Sequence, residues 1–224
     1  MIAKWLFQSL ASVVAFAVLL FVPAGTLHWP GAWVFLGFMV ASALGFGGWL
    51  ARRDPALLAE RMRSPIQPGQ PTADKKFLAV FGVAILIWFI TIGLDERFHP
   101  FRMPVAWQAL GLALLILSSA FIAWVFRENS FAAAVVKVQS ERGHHVISSG
   151  PYAFVRHPMY SAAVLFMAGI ALLLGSWWGT ALSPVFALLF GVRIRIEEHT
   201  LKTGLPGYAD YATRVRYRLV PGLW

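Results

Sequence analysis

Long apolar runs, each close to the length that crosses a lipid bilayer, constrain this chain more than any other feature. A helix needs about 20 mostly apolar residues to span the hydrocarbon. Four such runs, none containing a charged residue, lie at residues 5–22, 31–50, 77–94 and 105–126. Helices satisfy their own backbone hydrogen bonds inside a membrane. The sequence therefore predicts an all-α, polytopic membrane helical bundle with about four spans.

Two further apolar runs, at residues 159–174 and 177–191, are separated only by a Gly-Ser pair. Each is short for a full span, so we predict a tight C-terminal helical hairpin that is tilted or stops short of full depth. The N-terminal run lacks a small-residue cleavage site, and we interpret it as a retained span. Because no repeat or linker divides the chain, residues 1–224 are expected to form one domain. Its N-terminal spans lie in 1–126 and its chemistry-bearing region in 127–224.

Composition supports a membrane protein and excludes several kinds of chemistry. Hydrophobic residues make up 58% of the chain, against about 45–50% in soluble domains. The absence of cysteine excludes disulfides, thiolate metal sites and cysteine nucleophiles. The formal net charge of +9 is compatible with nucleic acid, but the basic residues lie in loops, where anionic lipid headgroups account for them. Membrane lipids, and no nucleic acid, are the expected partners.

The loop charges also predict an orientation. Of the 19 Lys and Arg residues, all but Arg97 and Arg102 fall on the side that carries both termini and the segment 127–158. By the positive-inside rule this side is cytoplasmic. Short loops and a minimal N-terminus favour a bacterial or archaeal inner membrane. Residues 54–61, in the basic loop after the second run, are compatible with a short interfacial helix.

Residues 150–160 combine polar, aromatic and conformationally special residues at the edge of an apolar run. A Gly-Pro pair ends any preceding helix, and Pro158 suits the first turn of a new one. Arg156 and His157 then fall just before a helix N-terminus, whose free N–H groups favour an anion. We expect chemistry at this motif.

The segment 137–149 leads into this motif and has β-branched residues on both sides of a polar turn. A solvated loop held near lipid headgroups is the alternative interpretation. The adjacent residues His144 and His145 are poorly placed to bind one ion, and no His-x-x-x-His pattern occurs in the chain. No metal site is predicted.

Arg193, Glu197 and Leu201 are spaced by four and lie on one face of a helix that leaves the last apolar run. An ordinary Arg–Glu surface pair is the alternative. Glu197 and Glu198 form an acidic pair at the membrane edge, where acidic residues are functional candidates. A Gly-Leu-Pro-Gly stop follows, and a short helix over 208–215 carries two tyrosines, which interfacial anchoring also explains.

These residues suit a ligand with separate anionic, cationic and flat portions. Arg156 or His157 would bind the anionic end, Glu197 the cationic end, and the faces of Tyr152 and Tyr160 a flat or sulfonium portion. S-adenosylmethionine carries a carboxylate, an ammonium, a sulfonium and an adenine, and so fits. NADPH leaves Glu197 without a role, and no Gly-x-Gly-x-x-Gly pattern follows a strand.

Three patterns together resemble one family: Gly150-Pro151-Tyr152-x-x-Val155-Arg156-His157-Pro158-x-Tyr160, Glu197-Glu198-x-x-Leu201 and Tyr208-x-x-Tyr211. They are similar to the isoprenylcysteine carboxyl methyltransferases, which belong with the membrane phospholipid methyltransferases. The resemblance covers residues 137–224. One departure is Ala162, which stands where the family usually has Gly.

The resemblance implies S-adenosylmethionine as the cofactor and implies its contacts, which are Gln139, His144, His145, Val146, Ile147, Tyr152, His157, Pro158, Met159, Tyr160 and Glu197. From the residue pattern itself we add Arg156 and Glu198 to the cofactor site. The resemblance also implies that Arg193 faces the methyl acceptor. Arg193 and His157 are the expected catalytic residues.

The expected function is S-adenosylmethionine-dependent methyl transfer to a lipophilic acceptor, with a carboxylate favoured, beneath a cytoplasmic cofactor-binding cap. A carboxylate needs no general base, and Arg193 can orient it by two hydrogen bonds. An amine or thiol acceptor needs a proton sink, for which His157 or Glu198 is available. Two alternatives stay open: an NADPH-dependent membrane reductase of the sterol-reductase type, and a non-enzymatic protein that binds anionic lipid.

Overall fold

The computed structural model describes residues 2–98 and 102–224, and no β-strand occurs in these residues. The all-α prediction is confirmed. The described chain also contains short 3-10 turns at Ser140–Arg142 and Gly150–Ala153. Its α-helices are α1 (Ile2–Ala24), α2 (Pro30–Arg53), α3 (Pro55–Arg61), α4 (Thr72–Phe98), α5 (Val105–Glu128), α6 (Pro158–Leu173), α7 (Trp177–Leu182), α8 (Pro184–Gly204) and α9 (Tyr208–Arg214).

Within the described ranges, five stretches are long and apolar enough to cross a membrane. Four of them, α1, α2, α4 and α5, correspond to the four predicted N-terminal spans. The fifth is Trp177–Gly204, 28 residues that combine α7 and α8. The second arm of the C-terminal hairpin is thus longer than its apolar run, because no helix breaker occurs between residue 191, where that run ends, and the Gly-Leu-Pro-Gly stop. The first arm, α6, has only 16 residues.

The short helix predicted for residues 54–61 is present as α3. Its first turn is capped by Asp54, whose carboxylate accepts a 2.9 Å hydrogen bond from the N–H of Leu57. A proline in the first turn supports the same start. α3 is therefore a separate short helix that lies between α2 and α4 in the sequence.

α4 continues past residue 94, where its apolar run ends, and extends to Phe98. Asp95 lies in the last turn of α4 and accepts hydrogen bonds from Ser176 Oγ at 2.6 Å and from the Trp178 N–H at 3.2 Å. These bonds join α4 to the hairpin. Residues 99–101, which follow α4 in the sequence, lie outside the described part of the chain.

α5 and α6 pack with their backbones close together. A side chain at Gly111 would collide with the backbone nitrogen of Leu173, and one at Gly169 would meet the Gly111 carbonyl at 3.0 Å. Small residues permit such approach between membrane helices. Because residues 129–157 connect these two helices, the packing holds both ends of that segment in place.

Aromatic side chains fill the centre of the bundle. Trp88 is fully buried, packs edge-on against Phe89 and Phe186, and donates its indole N–H to the Gly179 carbonyl at 2.8 Å. A buried indole that finds a partner in this way fixes helix positions as well as filling space. The core thus holds α4 against the hairpin.

The C-terminal tail returns to the start of α6. The N–H groups of Arg156 and His157 donate to the carbonyls of Tyr217 and Arg218, both at 2.9 Å. The hydroxyl of Ser161 donates to the Leu219 carbonyl at 2.6 Å. One end of the bundle therefore gathers the motif of residues 150–160, the end of α8 and the tail.

Candidate functional site

A cavity of about 790 Å³, including the part open to solvent, lies at this end of the bundle. The wall comes from the segment between α5 and α6, the first turn of α6, the C-terminal half of α8, and α9. Parts of the chain that are distant in sequence therefore converge on one space.

Glu197 of α8 and the first turn of α6 meet across this cavity. The hydroxyl of Tyr160 donates to Glu197 Oε2 at 2.6 Å. His157, the residue immediately before α6, places its Nδ1 at 3.9 Å from Glu197 Oε1. No Lys or Arg in the described ranges lies within ion-pair distance of this carboxylate, and its side chain is 25% exposed. A negative charge is thus available at the cavity.

Glu198 has a different environment, although it is the adjacent residue. Its Oε1 accepts from Arg156 Nε at 2.7 Å and lies 3.3 Å from His157 Nε2. Its Oε2 accepts from Arg218 at 3.1 Å. The side chain is buried and is surrounded by cationic or titratable groups of the protein itself. Glu198 therefore ties α8 to the motif and to the tail.

Arg156 is held by hydrogen bonds to α8 and to the end of α9. Besides Glu198, its Nη1 donates to the carbonyls of Ala212, Val215 and Arg216 at 3.1, 2.9 and 3.3 Å. These carbonyls lie at the C-terminal end of α9, where a cation is favourable. The side chain contributes to the cavity wall, while its Nη1 anchors the end of α9 and its Nε holds Glu198.

Arg193 pairs with Asp74 of α4, not with Glu197 one turn away. Its Nε donates to Asp74 Oδ1 at 3.0 Å, and its Nη2 donates to the Ala134 carbonyl at 2.7 Å. Asp74 is fully buried, and its Oδ2 also accepts from the Val136 N–H at 3.0 Å. One carboxylate thus positions both the guanidinium of Arg193 and the segment that forms the opposite wall.

The loop before the motif is built around stacked rings. His144 stacks on Phe131 with ring centroids 4.5 Å apart, and its Nδ1 accepts from the Gln139 N–H at 3.3 Å. Burial, helped by the neighbouring His145 and Arg142, lowers the pKa of His144 to about 4. The imidazole is therefore neutral near pH 7, and with Nδ1 as an acceptor its Nε2 carries the proton.

Three tyrosines close the cavity from the side of α9. Tyr152 accepts a 2.7 Å hydrogen bond from Asn129, and Tyr211 donates to the Tyr152 carbonyl at 2.8 Å. Burial raises the pKa of Tyr152, Tyr208 and Tyr211, so all three are neutral phenols. The hydroxyl of Tyr208 is buried and has no hydrogen-bond partner in the described structure. An unpaired buried hydroxyl in a cavity wall is suited to a ligand.

The structure brings most of the predicted site residues together. Those that line the cavity are His144, His145, Val146, Ile147, Tyr152, Arg156, His157, Met159, Tyr160, Arg193 and Glu197. Gln139, Pro158 and Glu198 do not. Gln139 is fully buried and bonds to the Phe131 carbonyl at 2.8 Å, while Pro158 begins α6. These three residues hold segments of the wall in place without lining the cavity themselves.

Sequence reasoning missed Asp74 and treated Tyr208 as one of two candidate interfacial anchors. Asp74 has one recognisable signal, since it is a lone acidic residue followed by two lysines at the start of an apolar run. Tyr208 is only 4% exposed, so it is a buried residue of the cavity wall and not an anchor in the interface. The position of Tyr208, directly after the helix stop, gave no indication that its side chain is buried.

Comparisons with known proteins bear on this architecture. A family model for phospholipid methyltransferases matches residues 106–205. The solved structure of a eukaryotic intramembrane Ras methyltransferase, an isoprenylcysteine carboxyl methyltransferase, superposes with a TM-score of 0.57 and 21% identity, covering 96% of this chain and 74% of that one. Protein-S-isoprenylcysteine O-methyltransferase B of Arabidopsis thaliana is 30% identical over 151 residues, which are 60% of this chain and 71% of that protein. The chain belongs to the isoprenylcysteine carboxyl and phospholipid methyltransferase family.

Two further similarities cover shorter stretches of this family member. A cobalt-zinc-cadmium resistance protein of Cupriavidus metallidurans is 33% identical over 78 residues, and a nickel-cobalt-cadmium resistance protein of Alcaligenes xylosoxydans xylosoxydans is 31% identical over 78 residues. The matched stretch spans only 36% and 37% of those two proteins. In residues 2–98 and 102–224 of this chain, no three or more His, Asp or Glu side chains are grouped so that they could hold a metal ion.

Proposed function

We propose that this protein transfers a methyl group from S-adenosylmethionine to a lipophilic acceptor, with a carboxylate as the favoured acceptor group. The observation that carries the proposal is the cavity in which Glu197, the turn from His157 to Tyr160 and the loop residues 144–147 meet. Membership of a membrane methyltransferase family supports it. The acceptor would come from the membrane that the apolar helices are long enough to cross.

The residues of the cavity suit this cofactor chemically. The carboxylate of Glu197, which has no Lys or Arg partner in the described residues, would bind an ammonium or sulfonium group. The start of α6 has no side-chain cap, and the Met159 N–H, which makes none of the backbone hydrogen bonds found there, would favour a carboxylate. The unpaired hydroxyl of Tyr208 supplies a further hydrogen bond, and the rings of Tyr152 and His144 provide flat surfaces.

When bound, S-adenosylmethionine would supply a methyl group on a cationic sulfur: an acceptor carboxylate oxygen forms the new C–O bond as the C–S bond breaks and leaves its electron pair on sulfur. No proton moves in this step, so the protein needs no general base. Its task is alignment, which contributes up to about 7–11 kcal/mol in favourable intramolecular cases. Arg193 would orient the acceptor, because its Nη1 takes part in neither of the bonds that hold the side chain.

We further propose that the cavity faces the cytoplasm of a bacterial or archaeal cell and that both termini are cytoplasmic. The distribution of Lys and Arg supports this orientation. A C-terminal green fluorescent protein fusion should fluoresce, and a C-terminal alkaline phosphatase fusion should be inactive. An active phosphatase fusion would overturn the orientation.

Calorimetric titration of the purified protein with S-adenosylhomocysteine and with NADPH tests the cofactor. We expect S-adenosylhomocysteine to bind and NADPH not to bind. Binding of NADPH alone would support the reductase alternative, and binding of neither would support a non-enzymatic membrane protein. The variant Glu141→Gln serves as a control and should bind S-adenosylhomocysteine as the wild type does. Glu141 is 60% exposed and does not line the cavity.

A further inference from the structure

An open groove runs along the outside of the bundle between α2 and α5. Its apolar part measures about 760 Å³ including the space open to the surroundings, and its wall includes Phe38, Ser42, Gly45 and Phe46. A second space of about 680 Å³, measured in the same way, continues it at the C-terminal ends of the two helices. Trp49 and Ala123 line both parts, so we treat them as one site and call it the α2–α5 groove. Both helices are long and apolar enough to cross a membrane, which places the apolar part at the depth of the hydrocarbon.

Two arginines and two tryptophans surround the end of the groove. Trp49 and Arg53 come from the last turns of α2, and Trp124 and Arg127 come from the last turns of α5. The guanidinium carbon of Arg53 lies 6.0 Å from the ring centroid of Trp49. Tryptophan is enriched where the hydrocarbon of a bilayer meets its headgroups. The two arginines therefore stand at the level of the lipid headgroups.

Neither arginine has an acidic partner. In the described part of the chain, no carboxylate lies within ion-pair distance of Arg53 or Arg127. The acidic residues beside them in the sequence are used elsewhere, since Asp54 caps α3 and Glu128 accepts a 2.7 Å hydrogen bond from Ser149 Oγ. Among the described residues, no Asp or Glu lines either part of the groove. The end of the groove thus offers two positive charges and no negative charge.

We propose that the α2–α5 groove binds an anionic phospholipid, with its phosphodiester between Arg53 and Arg127 and one acyl chain along the apolar part. The fork of donors on a guanidinium matches phosphate oxygens, and basic pockets between membrane helices suit anionic headgroups. A zwitterionic lipid fits less well, because its ammonium group would meet two arginines and no carboxylate. Gly45 leaves room for the chain, since a Cβ at this position would have no atom within 4 Å.

This lipid site is separate from the cavity of the proposed methyl transfer. No residue of the groove lines the cavity, so binding of the lipid does not depend on the cofactor. The end of the groove does adjoin the motif of residues 150–160, because a Cβ on Gly150 would lie 3.1 Å from the indole nitrogen of Trp124. A bound lipid therefore joins α2 to the end of α5, which packs against the start of the motif.

Native mass spectrometry of the purified, delipidated protein tests the charge of the lipid. Phosphatidylglycerol and phosphatidylethanolamine with identical acyl chains are titrated separately. We expect phosphatidylglycerol to bind about fivefold more tightly or better, the effect of one basic residue near an anionic surface. The double variant Arg53→Gln with Arg127→Gln should lose this preference. The control, Arg52→Gln with Lys76→Gln, removes the same charge at exposed positions outside the groove and should keep it.

A second pair of variants tests the place of the acyl chain. Gly45→Leu fills the apolar part without altering either arginine, and it should weaken binding of phosphatidylglycerol. Gly82→Leu is the matched control, because a Cβ on Gly82 also has no atom within 4 Å but lies on α4, outside the groove. All of the changed positions are exposed, so each variant should keep the wild-type unfolding temperature in lipid-free detergent.

Three results would overturn the inference. The first is equal binding of the two lipids by the wild type, and the second is an equal loss in the groove variants and their controls. The third is displacement of phosphatidylglycerol by glycerol 3-phosphate at similar concentrations, which would assign the arginines to a soluble phosphate. Affinity for S-adenosylhomocysteine should be the same in all of these variants, so failure of the lipid site and failure of the proposed methyl transfer give different results.

Discussion

The hydroxyl of Tyr160 donates a 2.6 Å hydrogen bond to Glu197, and this contact joins the first turn of α6 to α8 at the wall of the cavity. It uses one carboxylate oxygen, Oε2. The other oxygen lies 3.9 Å from His157. The carboxylate is therefore fixed in orientation while part of it remains available to a cationic ligand.

Replacing Glu197 by Gln should weaken binding of S-adenosylhomocysteine about 10- to 100-fold, the loss expected for a charge-assisted hydrogen bond. The amide oxygen can still accept from Tyr160, so thermal stability in detergent should change little. Calorimetric titration measures the affinity. Unchanged affinity in a monodisperse variant would remove Glu197 from the cofactor site.

Replacing Arg193 by Ala should leave the affinity for S-adenosylhomocysteine intact and abolish most turnover, because the proposal gives this residue to the acceptor. If Arg193 only neutralised the buried Asp74, its removal would lower thermal stability but would leave the turnover of the folded protein unchanged. Binding and rate measurements on the same preparation distinguish the two. Loss of cofactor affinity would mean that the acceptor is held elsewhere.

Replacing Tyr208 by Phe removes a buried hydroxyl that has no partner in the described structure. The free protein should therefore lose no stability, whereas affinity for S-adenosylhomocysteine should fall about 2- to 10-fold, the effect of one neutral hydrogen bond. Tyr217→Phe is the control, because Tyr217 is 41% exposed and outside the cavity wall. Equal affinities in both variants would show that the hydroxyl binds no cofactor.

Protonation of His144 should destabilise the fold in acid. Burial lowers its pKa from 6.5 to about 4, so the folded state favours the neutral ring. This contribution is fully present above about pH 6.5 and is lost as the pH falls towards 4. Thermal unfolding at several pH values should show a steeper loss for the wild type than for His144→Asn, whose amide can still accept a hydrogen bond. Parallel curves would contradict this role of the neutral imidazole.

The number of apolar helices and the place of the site follow from patterns within short stretches of sequence. The run lengths predicted α1, α2, α4 and α5, and Pro158 predicted the start of α6. The residues of the central motif and Glu197 are indeed brought to one cavity. Such features depend on local periodicity and on helix start signals, which a single sequence displays.

The partners of the charged residues could not be predicted in the same way. Arg193 and Glu197 lie at helical spacing, yet Arg193 pairs with Asp74, 119 residues away in sequence. Glu198 lies beside Glu197, yet it turns to Arg156 and Arg218. The ion-pair partners depend on which helix faces pack together. The spacing of charged residues along the sequence does not determine that packing.

The central claim is methyl transfer to a membrane-derived carboxylate, and a single transfer assay tests it most directly. Purified protein is incubated with methyl-labelled S-adenosylmethionine and an inner-membrane lipid extract, and the organic phase is then treated with mild base. We expect labelled lipid that releases its label as methanol, and we expect the signal to be lost in Glu197→Gln. Protein that binds S-adenosylhomocysteine but labels no lipid, or labels only base-stable products, would contradict it.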